Sequence, residues 1–210
     1  MVSSFARFSL LPDVRIRLYP LEDMFSSTAA SRTLAPPINF NLVCPGVYRS
    51  GYPTRHNLQF LMRLKLRTIV SLEDTAYPDE VQTWIHENGI VVIHCAVTQS
   101  KEPFVVADPC EIRRVIRILL DPLAHPVLVH SLHGQSRVGV VVGCLRKLQR
   151  WSLAGIFEEY RRFAGSAASL LDLQVIELHS NSDDEENVRD VARTHTASTT
   201  GAAPSPPKSP

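Results

Sequence analysis

Nowhere in the chain's 210 residues does an apolar run approach the roughly 20 residues a membrane helix needs, so no membrane partner is expected. A charge excess is lacking too. Lys and Arg number 22 against 21 Asp and Glu, a net charge of +1, and nothing points to nucleic acid or acidic lipid. Cysteine is scarce and unpatterned. Cys44, Cys95, Cys110 and Cys144 show neither CxxC pairing nor metal-ligand spacing. They read as reduced thiols of an intracellular protein, with no metal and no cofactor expected. The first stretch, "MVSSFARFSLLP", has no acid, as transit peptides do. Asp13, Glu22 and Asp23 follow closely, however, and its apolar block is too short for a secretory signal. The expected location is cytoplasmic.

What is present fits one globular domain with flexible ends, 44% hydrophobic and 20% charged. Residues 1–36 hold no sustained period and end in "LAPP", a linker-like stop; they are expected as a disordered extension. Residues 181–210 are polar and then rich in Ala, Thr, Ser and Pro. Lacking large apolar residues, they cannot offset the entropy of ordering and are expected as a disordered tail. The domain is placed over 37–180.

Inside it, strand-like and helix-like pieces alternate. "GVYRS", "LRTIVSL", "IVVIHCAV" and "HPVLVH" read as strands. "TRHNLQFLMRLK", with Thr54 as N-cap, reads as a helix, as does "YPDEVQTWIHENG", with Pro78 in its first turn and Gly89 at its end. "DPCEIRRVIRILLD", capped by Asp108, "RVGVVVGCLRKLQR", "SLAGIFEEYRRFA", capped by Ser152, and "AASLLDLQVIELH" follow. The alternation predicts an α/β fold, a central, mostly parallel sheet flanked by helices on both faces. "HPVLVH" is the most uniformly apolar strand and is expected at the centre, with the ligand site just past its carboxyl end.

The segment at that point is "HSLHGQSRVG", His130 to Gly139. The chain must turn sharply there, and Gly134 can take the positive φ this needs. Successive N–H groups of Leu132, His133, Gly134, Gln135 and Ser136 would form a nest aimed at one point. The following helix adds its positive end. Arg137, in that helix's first turn, can grip two oxygens of a phosphate. Without an anion a cation there opposes the helix dipole, which argues against a plain strand–turn–helix connection. A rival appears in "HCAVTQSK", where Cys95 follows His94 and Lys101 stands six residues on. It has no glycine in the gap, no arginine fork and no helix after it, so Cys95 reads as a strand residue.

These residues resemble the plant and fungal atypical dual-specificity phosphatases. The likeness runs from Pro37 to Leu178 through "INFNLVCPGVYRSGYPTRHNLQFL", "LRTIVSLEDTAYPDE", "KEPFV", "HPVLVH", "VGCLRKLQRWSLAGIFEEYRRFAG" and "LLDLQVIEL". The resemblance implies the cysteine-phosphatase fold and action on phosphotyrosine-type monoesters or inositol pyrophosphates. The family's loop reads His-Cys, two residues, then Gly-Lys-His-Arg-Thr-Gly. This chain keeps His130, Gly134, Arg137 and Gly139, but has Ser131 for the cysteine, Gln135 for the lysine, Ser136 for the histidine and Val138 for the threonine. His133 stands where a basic residue is usual. By the same likeness, the candidate general acids are Glu102, Asp74 and Asp79, with Glu102 preferred.

A cysteine in such a loop has its pKa lowered to roughly 3.5–7.5 and attacks as a thiolate, whereas serine keeps its proton and needs a base. A deliberate trap substitution would change the cysteine alone; here its neighbours depart as well. The expectation is therefore a pseudophosphatase that binds a phosphorylated protein or inositol phosphate ligand, or a partner protein, through Ser131–Arg137. Two alternatives stand beside it. One is an active, or Cys-to-Ser trapped, phosphatase acting on phosphotyrosine-type monoesters or inositol pyrophosphates. The other is a scaffold with a vestigial loop, working through the "FEEYRRFAG" helix.

Overall fold

The computed structural model describes residues 34–101 and 105–179. The extension expected over 1–36, apart from 34–36, and the tail expected over 181–210 lie outside them. At the start of the described chain, the Ala35 carbonyl accepts from Nδ2 of Asn57 over 3.1 Å.

Five strands form one sheet in the order β1-β2-β5-β3-β4: β1 Asn41–Cys44, β2 Val47–Ser50, β3 Thr68–Ser71, β4 Val91–His94 and β5 Val127–His130. The first pair is antiparallel and the other three pairings are parallel. β5 is central, as its apolar run implies, and all four of its residues are buried. β1 was not expected from the sequence. It is a four-residue edge strand with exposed Leu42 and a register shift between Leu42 and Cys44, so it lacks a clean alternation. Cys95 sits one residue past β4 rather than in it, although its N–H still extends the ladder to the Ser71 carbonyl at 2.8 Å.

Period-two alternation distributes the strand side chains to two cores. Val127 and Val129 face α3 (Pro109–Leu120), α4 (Ser136–Leu148), α5 (Leu153–Ala164) and α6 (Leu170–Leu178). Leu128 and Ile69 face the other side, against α1 (Leu58–Arg63) and α2 (Asp79–Glu87). Each fully buried Val, Leu or Ile is worth about 1.5–3 kcal/mol relative to exposure, so both layers are held mainly by burial. No helix among the described residues is long and apolar enough to cross a membrane.

The caps match the sequence with two adjustments. Asp108 Oδ1 accepts from the Cys110 N–H at 2.8 Å, and Ser152 Oγ from the Gly155 N–H at 3.3 Å. Pro78 is the N-cap of α2 rather than a first-turn residue. The helix expected from Thr54 opens as a 3-10 turn over Arg55–Asn57, where Asn57 Oδ1 accepts from both the N–H and the hydroxyl of Thr54.

The register positions the site. Ser50 and Ser71 are both level with His130, so β2, β5 and β3 end together. The residues just past those ends converge on the loop after β5.

Candidate active site

The loop from Ser131 to Gln135 joins β5 to α4, and its backbone is held from outside. Its carbonyls at Leu132, His133 and Gly134 accept in turn from the Tyr52 N–H (3.1 Å), Asn39 Nδ2 (2.8 Å) and Arg49 Nη2 (3.1 Å). These contacts fix the turn from outside, while of its N–H groups that of Leu132 donates to Glu73 Oε1 at 2.8 Å and that of Gly134 to Ser131 Oγ at 3.1 Å. Gly134 allows the turn. Its φ is +67°, and a Cβ there would stand 2.5 Å from backbone atoms of Ser50 and Gly51.

Inside the loop lies a cleft of about 50 Å³, bordered by Glu73, Gln99, Ser131, His133, Gln135, Ser136 and Arg137. Ser131 is buried, and its Oγ accepts from the Gly134 N–H at 3.1 Å. Nε2 of His130 lies 2.5 Å from the Tyr77 hydroxyl, and burial pushes the imidazole pKa down to about 4, helped by nearby His94. Burial likewise drives the Tyr77 phenol well above its ordinary range.

Arg137 reaches the cleft, yet two of its nitrogens are engaged. Nε donates to the Val97 carbonyl at 2.9 Å and Nη1 to Glu73 Oε1 at 2.7 Å. The same Glu73 oxygen accepts the Leu132 N–H at 2.8 Å. A carboxylate thus balances the loop's arginine, and Gln135 adds no charge. Ser136 contributes its backbone to the turn, while its hydroxyl donates to Asp172 Oδ2 beneath the loop. Tyr160 donates to that oxygen at 2.6 Å, and Gly139 makes room for its ring. This buried trio ties the loop to α5 and α6.

The structure therefore brings together Ser131, Leu132, His133, Gly134, Gln135, Ser136 and Arg137. Glu102 lies outside the described residues. Asp74 and Asp79 are exposed, whereas Glu73 is the acid of that segment that touches the loop. Sequence reasoning passed over Glu73, Arg49 and Asp172. Two carried a signal: Arg49 is a charge in a short strand, and Glu73 follows closely on a strand adjacent to β5. Cys95, the rival nucleophile, is buried, and burial raises its thiol pKa, away from a thiolate.

Comparison with known proteins agrees with this geometry. The profile of the tyrosine phosphatase family matches residues 34–197. Over 150 residues the chain is 45% identical to inositol diphosphatase DSP1 of Oryza sativa subsp. japonica, covering 71% of this chain and 68% of that protein. It is 40% identical over 157 residues to inositol diphosphatase SIW14 of Saccharomyces cerevisiae, covering 74% of this chain and 55% of the yeast protein. The solved Siw14 catalytic core superposes with a TM-score of 0.72 at 38% identity, covering 76% of this chain and 95% of that one. A strand–loop–helix unit at the carboxyl end of a mostly parallel sheet and this likeness along most of the chain lead to one conclusion: the chain belongs to the tyrosine phosphatase family, among its atypical dual-specificity members.

Proposed function

We propose that the chain is a phosphatase-family protein directed at inositol pyrophosphates, with the terminal phosphoryl group of the diphosphate seated in the Ser131–Arg137 loop. The observation that carries this reading is the set of outward-held carbonyls at Leu132, His133 and Gly134, which fixes the loop backbone and supports N–H groups of His133, Gln135 and Ser136 turned toward an anion. The ligand class is supported by the relatives of rice and yeast, both named inositol diphosphatases.

Ser131 decides how far the chemistry goes. A serine must lose its proton to a base as it attacks. His130, its neighbour, is neutral, buried and engaged with Tyr77. On this ground His130 does not serve as the base, and with His133 the one other imidazole bordering the cleft among the described residues, we read the site as binding its ligand without appreciable turnover. The names of the relatives favour the second reading, a working inositol diphosphatase, over a loss of activity.

Binding and phosphate release, measured with a diphosphoinositol polyphosphate on one preparation, separate the readings. Wild type is expected to bind and release almost nothing, Arg137→Ala to lose binding, and Ser131→Cys to gain release. Release by wild type that disappears in Arg137→Ala establishes the working phosphatase instead. Absence of binding leaves a scaffold with a vestigial loop.

A further inference from the structure

The loop's backing contains an anomaly. Arg49, in the middle of β2, has no exposed surface. One of its nitrogens, Nη2, donates to the Gly134 carbonyl at 3.1 Å. Nε and Nη1 are fully buried and have no hydrogen-bond partner among the described residues. The guanidinium carbon lies 3.8 Å from the ring centroid of Phe163, a favourable but partial compensation. Burying an under-bonded cation is expensive, and such a group calls for an explanation. Holding one carbonyl does not supply it, since a neutral amide side chain would do that at lower cost. A cation is explained if its charge is used.

The front of the loop shows where. Arg137 is balanced by Glu73 at 2.7 Å, and Gln135 is neutral. Among the described residues, Arg49 brings further positive charge to the loop backbone from behind, at the Gly134 carbonyl. Burial, with Arg146 and Arg162 nearby and Glu159 opposing them, lowers the Arg49 pKa to about 10, which still leaves it cationic at neutral pH.

We propose that Arg49 is a positioning residue of the phosphate loop: it holds the Gly134 carbonyl outward and supplies, through the buried side, the positive charge that an oxyanion in the loop requires. This rests on the reading of the loop as an anion site. Because the interior screens poorly, charge delivered from behind acts on the ligand more strongly than a solvated lysine would.

Titration calorimetry with two tetrahedral oxyanions of similar size, dianionic tungstate and monoanionic perrhenate, tests it on the full chain. Arg49→Met is expected to raise the tungstate Kd at least tenfold and the perrhenate Kd markedly less, because an electrostatic contribution scales with ligand charge. Phe163→Leu, which loosens the same packing but keeps the cation, is expected to stay within threefold of wild type for both anions. Equal losses for both anions in Arg49→Met, or no loss, overturn the proposal while leaving the anion site standing. A wild type that binds neither anion overturns the site reading and the proposal with it. Should Arg49→Met fail to fold, Arg49→Lys decides. It keeps the charge without the planar fork. It should bind tungstate more weakly than wild type yet retain the preference over perrhenate, and wild-type affinity for both anions overturns the claim.

Discussion

The Tyr77 hydroxyl and Nε2 of His130 lie 2.5 Å apart in a buried hydrogen bond. The Tyr52 ring packs edge-on to the imidazole at 5.5 Å and stacks on Tyr77 at 5.3 Å, so the histidine is fixed from two sides. Whichever partner supplies the hydrogen, Nε2 is unavailable to deprotonate Ser131. Wild type is therefore expected to hydrolyse an aryl phosphate no faster than background. Ser131→Cys should show measurable but slow turnover, because the nest and helix end favour a thiolate while Glu73 and the neutral Gln135 work against it. Phosphate release by wild type that is abolished by Arg137→Ala contradicts this.

The same histidine gives stability a pH dependence of known sign. Its ordinary pKa is about 6.5 and burial holds it at about 4 in the fold. Between those values the unfolded chain binds a proton that the folded chain refuses. The contribution is fully present above pH 6.5 and is lost as the pH falls toward 4. Urea unfolding of wild type from pH 7 to 5 should lose stability more steeply than His130→Gln, by up to about 1.4 kcal/mol per unit, the slope of one proton. Parallel slopes for the two proteins would show that His130 does not carry the effect.

Gly134 is the position where the loop tolerates no side chain. Its left-handed φ of +67° and the 2.5 Å approach to Ser50 and Gly51 backbone act together. Gly134→Ala should destabilise the fold by at least about 2 kcal/mol, combining backbone strain with overpacking. It should also remove the rise in melting temperature expected when phosphate or tungstate is added to wild type. An alanine variant that keeps that rise would show that the turn adapts.

How much of this was legible follows from where each signal lies along the chain. β5 and α4 are contiguous, and the run from Val127 through Gly134 to Arg137 states strand, turn and helix locally. β1 was not legible. Four residues with one exposed leucine and a register shift give no period to detect. Glu73 was missed for a different reason. It lies 59 residues from Leu132 in sequence and meets it only because β3 and β5 pair in parallel with Ser71 level with His130. The sequence draws attention to charged neighbours of the motif, whereas the fold selects residues at the ends of adjacent strands. Arg49 conflicts with its own strand, and a local conflict of that kind often marks a functional position.

Glu73 now carries the most direct test of how the loop's charge is set. Its Oε1 accepts from Arg137 Nη1 at 2.7 Å and from the Leu132 N–H at 2.8 Å, so it both positions the arginine and opposes any incoming anion. The side chains are only partly exposed, 29% for Arg137 and 15% for Glu73, so solvent screens the pair incompletely. Glu73→Gln separates the two roles, because the amide oxygen can still accept from Arg137 while the negative charge is gone. One unit charge several ångströms from the ligand, at an effective dielectric near 20 and partly screened, is worth about 1 kcal/mol. Tungstate affinity in Glu73→Gln should therefore rise roughly 3- to 10-fold. Glu73→Ala removes the charge and the positioning together, and its gain should be smaller or absent. If Glu73→Gln binds tungstate more weakly than wild type, the carboxylate acts mainly by holding Arg137 in place, and its opposition to the ligand is negligible.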